Sequence, residues 1–494
     1  MRTDLVGNHR TSKYLQIFNF TNMQKQIYWN KCGCNESDAL VRRHILDTLP
    51  EFKTSSPVKV ALRQGVLEMA RVLSGERLKQ LSFSEVMENT RNNIKKRYQQ
   101  AHFNIHNNRI YADEGISRIS CFVKFEKIPE TKMLEQKPAR CIQFRSYEYT
   151  YLLKSFICAH SLLIKETDKK VNDQYIRTIF TKTYDNEGIA STIRDSWDSM
   201  KDPVAICLDH SKWDGHYDTE LLELEHEYWL TIHRDRLLKR LLSLQLKNKG
   251  ISQNGIRYKS KGKRMSGEYT TSEGNSLMNY NMIAAVLKTL GVLRFRVHVN
   301  GDDSITIVER QDVKVIVENL KLFRYLNMET EIEAVAEDFR QIKYCQTSPI
   351  RVMQDGVLKW LMIKDPIRAM SRSCYTDLKF KQAISRYTAG VGLCELACSS
   401  GVPMLQAWAM FMIKSANYAR PLGCVDKMPA RLMQKSHIRI QEIDEATRCD
   451  FEVAFGITAQ EQHDWERIAG DLRDPSLKNH FIPYLQKYKN FHLH

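Results

Sequence analysis

Apolar residues along the chain follow two rhythms. Leu62, Val66, Met69, Ala70 and Leu73 recur at helical spacing, as do Leu277, Tyr280, Ala284 and Leu287 before a stop at Gly291. Residues 219–230 predict a helix, the text from 220 to 249 continues it, and 312–326 reads as an amphipathic helix. Residues 1–90 look helical and polar throughout. The second rhythm is short and β-like. It covers 119–125, 141–144, 295–299, 304–308 and 352–360, the last a hairpin around Gln354-Asp355-Gly356, with a further β-like segment at 344–349. Residues 204–208 form an unbroken apolar run of buried-strand length. Helical and strand text alternate irregularly, which predicts an α+β protein.

Charge narrows the partner. Among 494 residues, 74 Lys and Arg stand against 58 Asp and Glu, a net charge of +16. That excess points to a polyanion, nucleic acid first and an acidic membrane surface second. Between 91 and 145 the imbalance is twelve to five. There Lys124, Lys127, Lys132, Lys137, Arg140 and Arg145 gather about one turn with aromatics close behind. A charge run is usually a solvated face, but interleaving with apolar strand residues predicts that part of this one lines a groove and meets phosphate. The basic excess returns over 351–440, and the text turns acidic from Gln441.

Other classes recede. The twelve cysteines lack a framework spacing and read as reduced thiols of a cytosolic protein. Cys32-Gly-Cys34 with His44 lacks the second ligand pair that zinc needs. The first thirty residues are too mixed for a signal peptide. The best apolar stretch, 151–164, is short and broken by Lys154 and His160, so no transmembrane helix is expected. Without repeats or low-complexity tracts, one compact assembly is expected.

Candidate chemistry sits at strand ends. Asn300-Gly301-Asp302-Asp303 joins two β-like runs, a hairpin signal. Alone, an Asp-rich turn is ordinary. Asp209, however, closes the 204–208 run, and Asp214 follows on the turn into the 219–230 helix. Capping that helix would explain one aspartate but not both. Asp209 and Asp302, with Asp303 beside, make a hard oxygen site suited to Mg²⁺, which takes few carboxylates and keeps positions for water and phosphate. Two such ions would serve in-line phosphoryl displacement. Asp214, Thr271 and Asn275 suit a ribose with its hydroxyls, although polar groups at 271 and 275 are also ordinary helix-start residues.

These motifs together resemble the RNA-dependent RNA polymerases of positive-strand RNA viruses, most of all the tombusvirus-like and carmovirus-like group. Lys137-Pro-Ala-Arg140 with Arg145 resembles the basic fingers motif, Asp209-x4-Asp214 the first palm motif, Ser266-Gly267-x3-Thr271-x2-Gly274-Asn275 the second and Gly301-Asp302-Asp303 the third. FRQIKYCQTSP (339–349) and WLMIKDPIRA (360–369) resemble the downstream palm and primer grip. The resemblance covers 119–370 and implies a right-hand fold of fingers, an antiparallel palm sheet flanked by helices, and a helical thumb. The implied division is an N-terminal extension at 1–110, fingers at 111–200, palm at 201–220, a fingers insertion at 221–260, the rest of the palm at 261–365, and thumb at 366–494. It implies catalytic and metal-binding Asp209, Asp302 and Asp303, with two Mg²⁺ replaceable by Mn²⁺. Ribose recognition would fall to Asp214, Ser266, Thr271 and Asn275, and phosphate binding to Lys124, Lys137, Arg140 and Arg145. Lys321 and Arg324 would be candidate general acids. The partners implied are single-stranded RNA template, nascent RNA, nucleoside triphosphates and a viral co-factor or membrane-anchoring protein, in membrane-associated replication complexes of a host cytoplasm. A reverse transcriptase would place an aromatic where Gly301 precedes the paired aspartates. A non-catalytic RNA-binding factor would explain the charge but not Asp209.

Overall fold

The computed structural model describes residues 11–19, 23–75, 78–107, 114–422 and 440–471. It is a mixed helix and strand structure, α+β as expected. Its centre is a four-stranded antiparallel sheet in the order Phe295–Asn300, Asp303–Glu309, Pro203–Ser211, Glu329–Ala336. Both faces are covered. Ile206, Leu208, Val297 and Val299 join a large core with helices Pro57–Leu73, Tyr147–Glu166, Thr219–His233 and Thr271–Thr289. Ala205, Cys207, Ile305 and Ile307 face the other way, onto helix Asn186–Asp198 and Trp197, Phe339 and Met362. Coverage on both sides is why 204–208 is continuously apolar although its neighbours run antiparallel.

Helix Thr271–Thr289 is buried from Glu273 through Leu287, on every side. A one-faced stripe was expected. It becomes a central helix because the sheet, Pro57–Leu73 and Thr219–His233 surround it. The predicted 220–249 helix breaks at Arg234, whose left-handed φ of +50° ends Thr219–His233. Asp235 then caps Arg236–Ser243 by accepting from Leu238 N at 3.0 Å. The predicted 312–326 helix is likewise divided, into Arg310–Glu318 and a 3₁₀ segment Leu320–Leu326.

A second sheet carries much of the basic text. Its order is Arg257–Lys261, Lys247–Ser252, Ile119–Val123, Cys141–Phe144, the middle pair being parallel. The first two strands lie in text expected to be helix and loop. Exposed Lys247, Lys249, Arg257, Lys259 and Lys261 alternate with Asn248, Gly250, Tyr258 and Ser260, which hides both strands from an apolar-pattern reading. The N-terminal region is not all helical either. Tyr14–Gln16 pairs with Tyr375–Asp377, and Gln26–Tyr28 with Lys127–Pro129. Downstream, Thr347–Gln354 and Val357–Lys364 form the expected hairpin about Asp355 and Gly356. It packs with helices Pro366–Ser373, Leu405–Ser415, Glu445–Phe455 and Ala459–Asp471 around Trp408, Phe451 and Trp465. Among the described residues no helix is long and apolar enough to cross a membrane.

Candidate active site

The turn between Phe295–Asn300 and Asp303–Glu309 has two residues, since Asn300 pairs with Asp303. The left-handed φ, +73°, falls on Gly301. A side chain there would meet no neighbour, so glycine is needed for the backbone angle and not for space. Pairing continues with Ser304 opposite Leu208, which brings Asp209 beside Asp303 and the turn. On its other side Asp209 faces Glu331. Asp209 lies inside a strand that runs on to Ser211, and it is exposed where a buried position was expected.

Asp209, Asp302 and Asp303 all reach solvent, while protein around Asp302 and Asp303 crowds those two closely enough to withdraw much of their hydration. Burial pushes Asp303 up to about 7, helped by Asp302, Glu333 and Asp209. Asp302 is raised by burial and by Asp209, while its own backbone amide, Arg140 and Lys124 pull the other way. Glu333, which sequence reasoning passed over, is raised by burial and Asp209. It sits where the pairing of Glu329–Ala336 skips a residue between Ile332 and Ala334. No described cation forms an ion pair with Asp209, Asp302 or Asp303. Among the described residues no three His, Cys, Asp or Glu side chains are grouped so as to hold a metal ion. The set is an open group of mutually repelling oxygen donors. It fits a divalent ion that arrives with water and phosphate.

Asp214 sits on the short helix Trp213–His216 and caps nothing; Asp218 caps Thr219–His233, accepting from Glu220 N at 2.8 Å and Leu221 N at 3.2 Å. Burial drives Asp214 up to about 6 and Asp302 adds to it, against Arg264, a hydrogen bond donated by Asn275, and Arg140. Asn275 is 4% exposed and its Oδ1 lacks a partner. Thr271 Oγ1 donates to Met265 O at 2.7 Å, a local brace. Ser266 Oγ accepts from Gln143 N at 3.2 Å and donates to Cys141 O at 3.1 Å, tying its loop to the basic sheet.

The basic residues separate into two groups. Lys124 and Arg140 lie side by side, Lys124 N donating to Arg140 O at 2.7 Å, and Glu126 sits between their side chains at 2.9 and 3.7 Å. Both act on Asp302. Lys137 pairs with Glu135 at 2.9 Å in solvent. Arg145 is buried, holding Glu268, Ser117 O and, at 2.6 Å, Asn248 Oδ1, so its guanidinium braces the fold. Arg324 is paired with Glu51 at 2.7 Å and Glu329 at 3.5 Å, and Lys321 is exposed on the same 3₁₀ segment.

Three positioning residues were missed by sequence reasoning. Ser276 Oγ accepts from Gly301 N at 2.8 Å. Asn279 Nδ2 donates to Gly301 O at 3.1 Å and Asp302 O at 2.9 Å. Its Oδ1 is therefore left to accept from His210 Nε2 at 3.1 Å, and His210 Nδ1 to accept from Thr330 Oγ1 at 2.8 Å. Burial holds His210 neutral, down at about 4. One chain of bonds thus joins the neighbour of Asp209 to the backbone of the aspartate turn. Only the four-residue step from Asn275 to Asn279, and the three-residue step from Ser276 to Asn279, pointed that way.

Comparison with known proteins places the chain in a family. The family model for viral RNA dependent RNA polymerase matches residues 2–473. The chain belongs to that family. Among similar proteins, the RNA-directed RNA polymerase of Melon necrotic spot virus is 31% identical over 361 residues, covering 70% of this chain and 44% of that protein. That of Carnation mottle virus is 28% identical over 386 residues, 75% and 49%. That of Tomato bushy stunt virus (strain Cherry) is 30% identical over 361 residues, 71% and 42%. The chain thus spans less than half the length of these relatives. The tombusvirus-like and carmovirus-like resemblance read from the motifs is the one the family match supports.

Proposed function

We propose that this chain catalyses template-directed synthesis of RNA from nucleoside triphosphates, as the polymerase of a positive-strand RNA virus. The observation that carries this reading is the uncompensated carboxylate group of Asp209, Asp302 and Asp303 at one end of the central sheet's strands, with Lys124 and Arg140 near enough to act on Asp302. In the proposed reaction the 3′-hydroxyl oxygen of the growing RNA attacks the α-phosphorus of a nucleotide. A new P–O bond forms, the bond to the β-phosphate oxygen breaks, and pyrophosphate leaves. Two Mg²⁺ ions, or Mn²⁺ in their place, would supply charge neutralisation and a lowered hydroxyl pKa. Asp209 and Asp302 would hold them, with Asp303 assisting.

The remaining residues orient the substrate. Asp214 and Asn275 would read the ribose hydroxyls, and the unpartnered Oδ1 of Asn275 supports this. Ser266 and Thr271 would hold that loop in place. Lys124, Lys137 and Arg140 would meet phosphate directly, and Arg145 would act by bracing their sheet. The proton for departing pyrophosphate would come from Lys321, since Arg324 is engaged by Glu51 and Glu329.

On this reading the sheet around Asp209 is the palm, within 201–220 and 261–365. The basic sheet belongs to fingers at 111–200 and 221–260, 366–494 form a thumb, and 1–110 pack with the fingers. The full setting would include template and nascent RNA, a viral co-factor or membrane-anchoring protein, and membrane-associated replication complexes in the host cytoplasm. The test is nucleotide incorporation on a short single-stranded RNA with Mg²⁺ or Mn²⁺, with and without primer, beside Asp302→Ala. Product from wild type alone is expected. Equal product from both would overturn the site, and tight RNA binding without synthesis would favour a binding factor.

A further inference from the structure

We propose that Cys345 is a positioning residue of the reaction: its thiol, held against the aspartate turn by a strained stretch of backbone, orients Asp303 toward the divalent ion. This rests on the polymerase reading and gives a role to a thiol that lies outside the aspartate motifs.

Residues 344–347 close a tight turn. Tyr344 N donates to Thr347 O and Thr347 N to Tyr344 O, each at 2.9 Å, and Thr347 Oγ1 adds a bond to Tyr344 O at 2.6 Å. The two residues between, Cys345 and Gln346, have φ of +50° and +64°. Turns with both central residues left-handed favour Asn-Gly, because a Cβ is penalised there. Cysteine followed by glutamine is an unfavourable choice for this backbone, and it persists because the surroundings fix it. The buried Tyr344 donates to Thr181 Oγ1 at 2.6 Å, and Thr181 donates in turn to Val299 O at 3.3 Å. Lys343 Nζ donates to Ser348 Oγ and to Ala454 O, both at 3.0 Å. The turn is thus tied on one side to strand Phe295–Asn300 and on the other to helix Glu445–Phe455.

This strained turn delivers a sulfur atom to the aspartates. Asn300 Nδ2 donates to Cys345 Sγ at 3.4 Å. Asn300 stands directly opposite Asp303 in the hairpin pairing, so the sulfur lies beside the pair that closes the aspartate turn. The thiol proton goes to the Asp303 carboxylate. One thiol therefore accepts from one end of the turn and donates to the other, which requires a group that does both. Asp303 has no described cation to set its rotamer, and Asp302, Glu333 and Asp209 all repel it. Cys345 supplies the fixed contact. Ser276 and Asn279 hold the backbone of the same turn, whereas Cys345 acts on the side chain. A cysteine that served only as a small apolar filler would need neither the left-handed backbone nor two polar partners.

Cys345→Ala removes donor and acceptor, and Cys345→Ser keeps both on a shorter bond. Both would be compared with wild type and with Cys449→Ala, whose cysteine is exposed on helix Glu445–Phe455. Mn²⁺ binding to the RNA-free protein would be read by electron paramagnetic resonance, and nucleotide kinetics taken at saturating RNA and Mg²⁺. Cys345→Ala should bind Mn²⁺ about fivefold more weakly, the size of one modest hydrogen bond. Its kcat should fall by about as much, while KM for nucleotides stays within about twofold. Its unfolding temperature should hold, because alanine meets the same backbone penalty as cysteine. Serine should recover part of both losses, and Cys449→Ala should match wild type. In an Asp303→Asn background Cys345→Ala should cost no further Mn²⁺ affinity, since the thiol acts through Asp303. Should the alanine variant fail to fold, Cys345→Ser carries the same cycle with a smaller loss expected. Unchanged Mn²⁺ affinity in folded Cys345→Ala would overturn the proposal. So would equal losses with and without Asp303, which would put the thiol's effect elsewhere. If wild type made no RNA while Cys345→Ala still lost Mn²⁺ affinity through Asp303, the polymerase reading would fall and the positioning contact would stand.

Discussion

Two groups of charges in the protein behave oppositely. Arg264 with Glu225, and Arg145 with Glu268, are fully buried ion pairs, and Glu225 also accepts from Tyr217 at 3.0 Å and Trp229 at 3.1 Å. Asp209, Asp302 and Asp303 are more accessible, yet they face one another with Arg140 and Lys124 only nearby. In the first group every charge has a partner, and the pairs hold the loop before Thr271–Thr289 in place. In the second no described cation pairs with the aspartates, which on the proposed reading leaves them for a ligand. Charge type does not distinguish architecture from function here; compensation does.

The largest effect should come from removing an uncompensated charge. Asp302→Ala should cut incorporation by at least about a thousandfold, because on the proposed reading the site would lose one of its two main cation ligands. Its denaturant midpoint should stay level or rise, since a repulsion is removed; a clear fall would blur the contrast. Breaking a compensated pair should do the reverse. Glu225→Ala strands Arg264 in the core and should cost about 3–5 kcal/mol in urea unfolding. A loss under 1 kcal/mol, the range of an exposed pair, would mean that this pair is not structural.

Next comes the bond chain under the aspartate turn. Asn279→Ala removes two donors and the partner of His210, and should cost about 1–3 kcal/mol. Incorporation should fall with it, with RNA affinity unchanged in a filter-binding assay. Acidity sharpens the comparison further. Asp303 and Asp214 are held at about 7 and about 6, against 3.8 for the free group. The folded state therefore binds protons that the unfolded chain has released. Without divalent ions, stability should be greatest below pH 4 from this source and decline as pH rises to about 7. Asp303→Asn should flatten that decline, and Mg²⁺ should offset it at the upper end. The smallest effect is expected at Ser266→Ala, about 1 kcal/mol for a hydroxyl joining two backbone groups of the basic sheet.

Sequence alone determined the strands of the central sheet at 204–208, 295–299 and 304–308, the hairpin connection within Asn300–Asp303, and the order of motifs that marks the family. These are local properties: an apolar run, a backbone angle only glycine adopts easily, a short spacing. The basic hairpin at 247–261 was hidden, because its strands alternate cations with half-buried polar groups. Which charges were free was hidden too. Arg145 and Arg140 look alike in the sequence, five residues apart, yet one is buried against Glu268 and the other faces Asp302. Asn279 and His210 found each other only through packing between segments far apart in the chain. Pairing is a property of three-dimensional neighbours, and the sequence lists each charge without its neighbours.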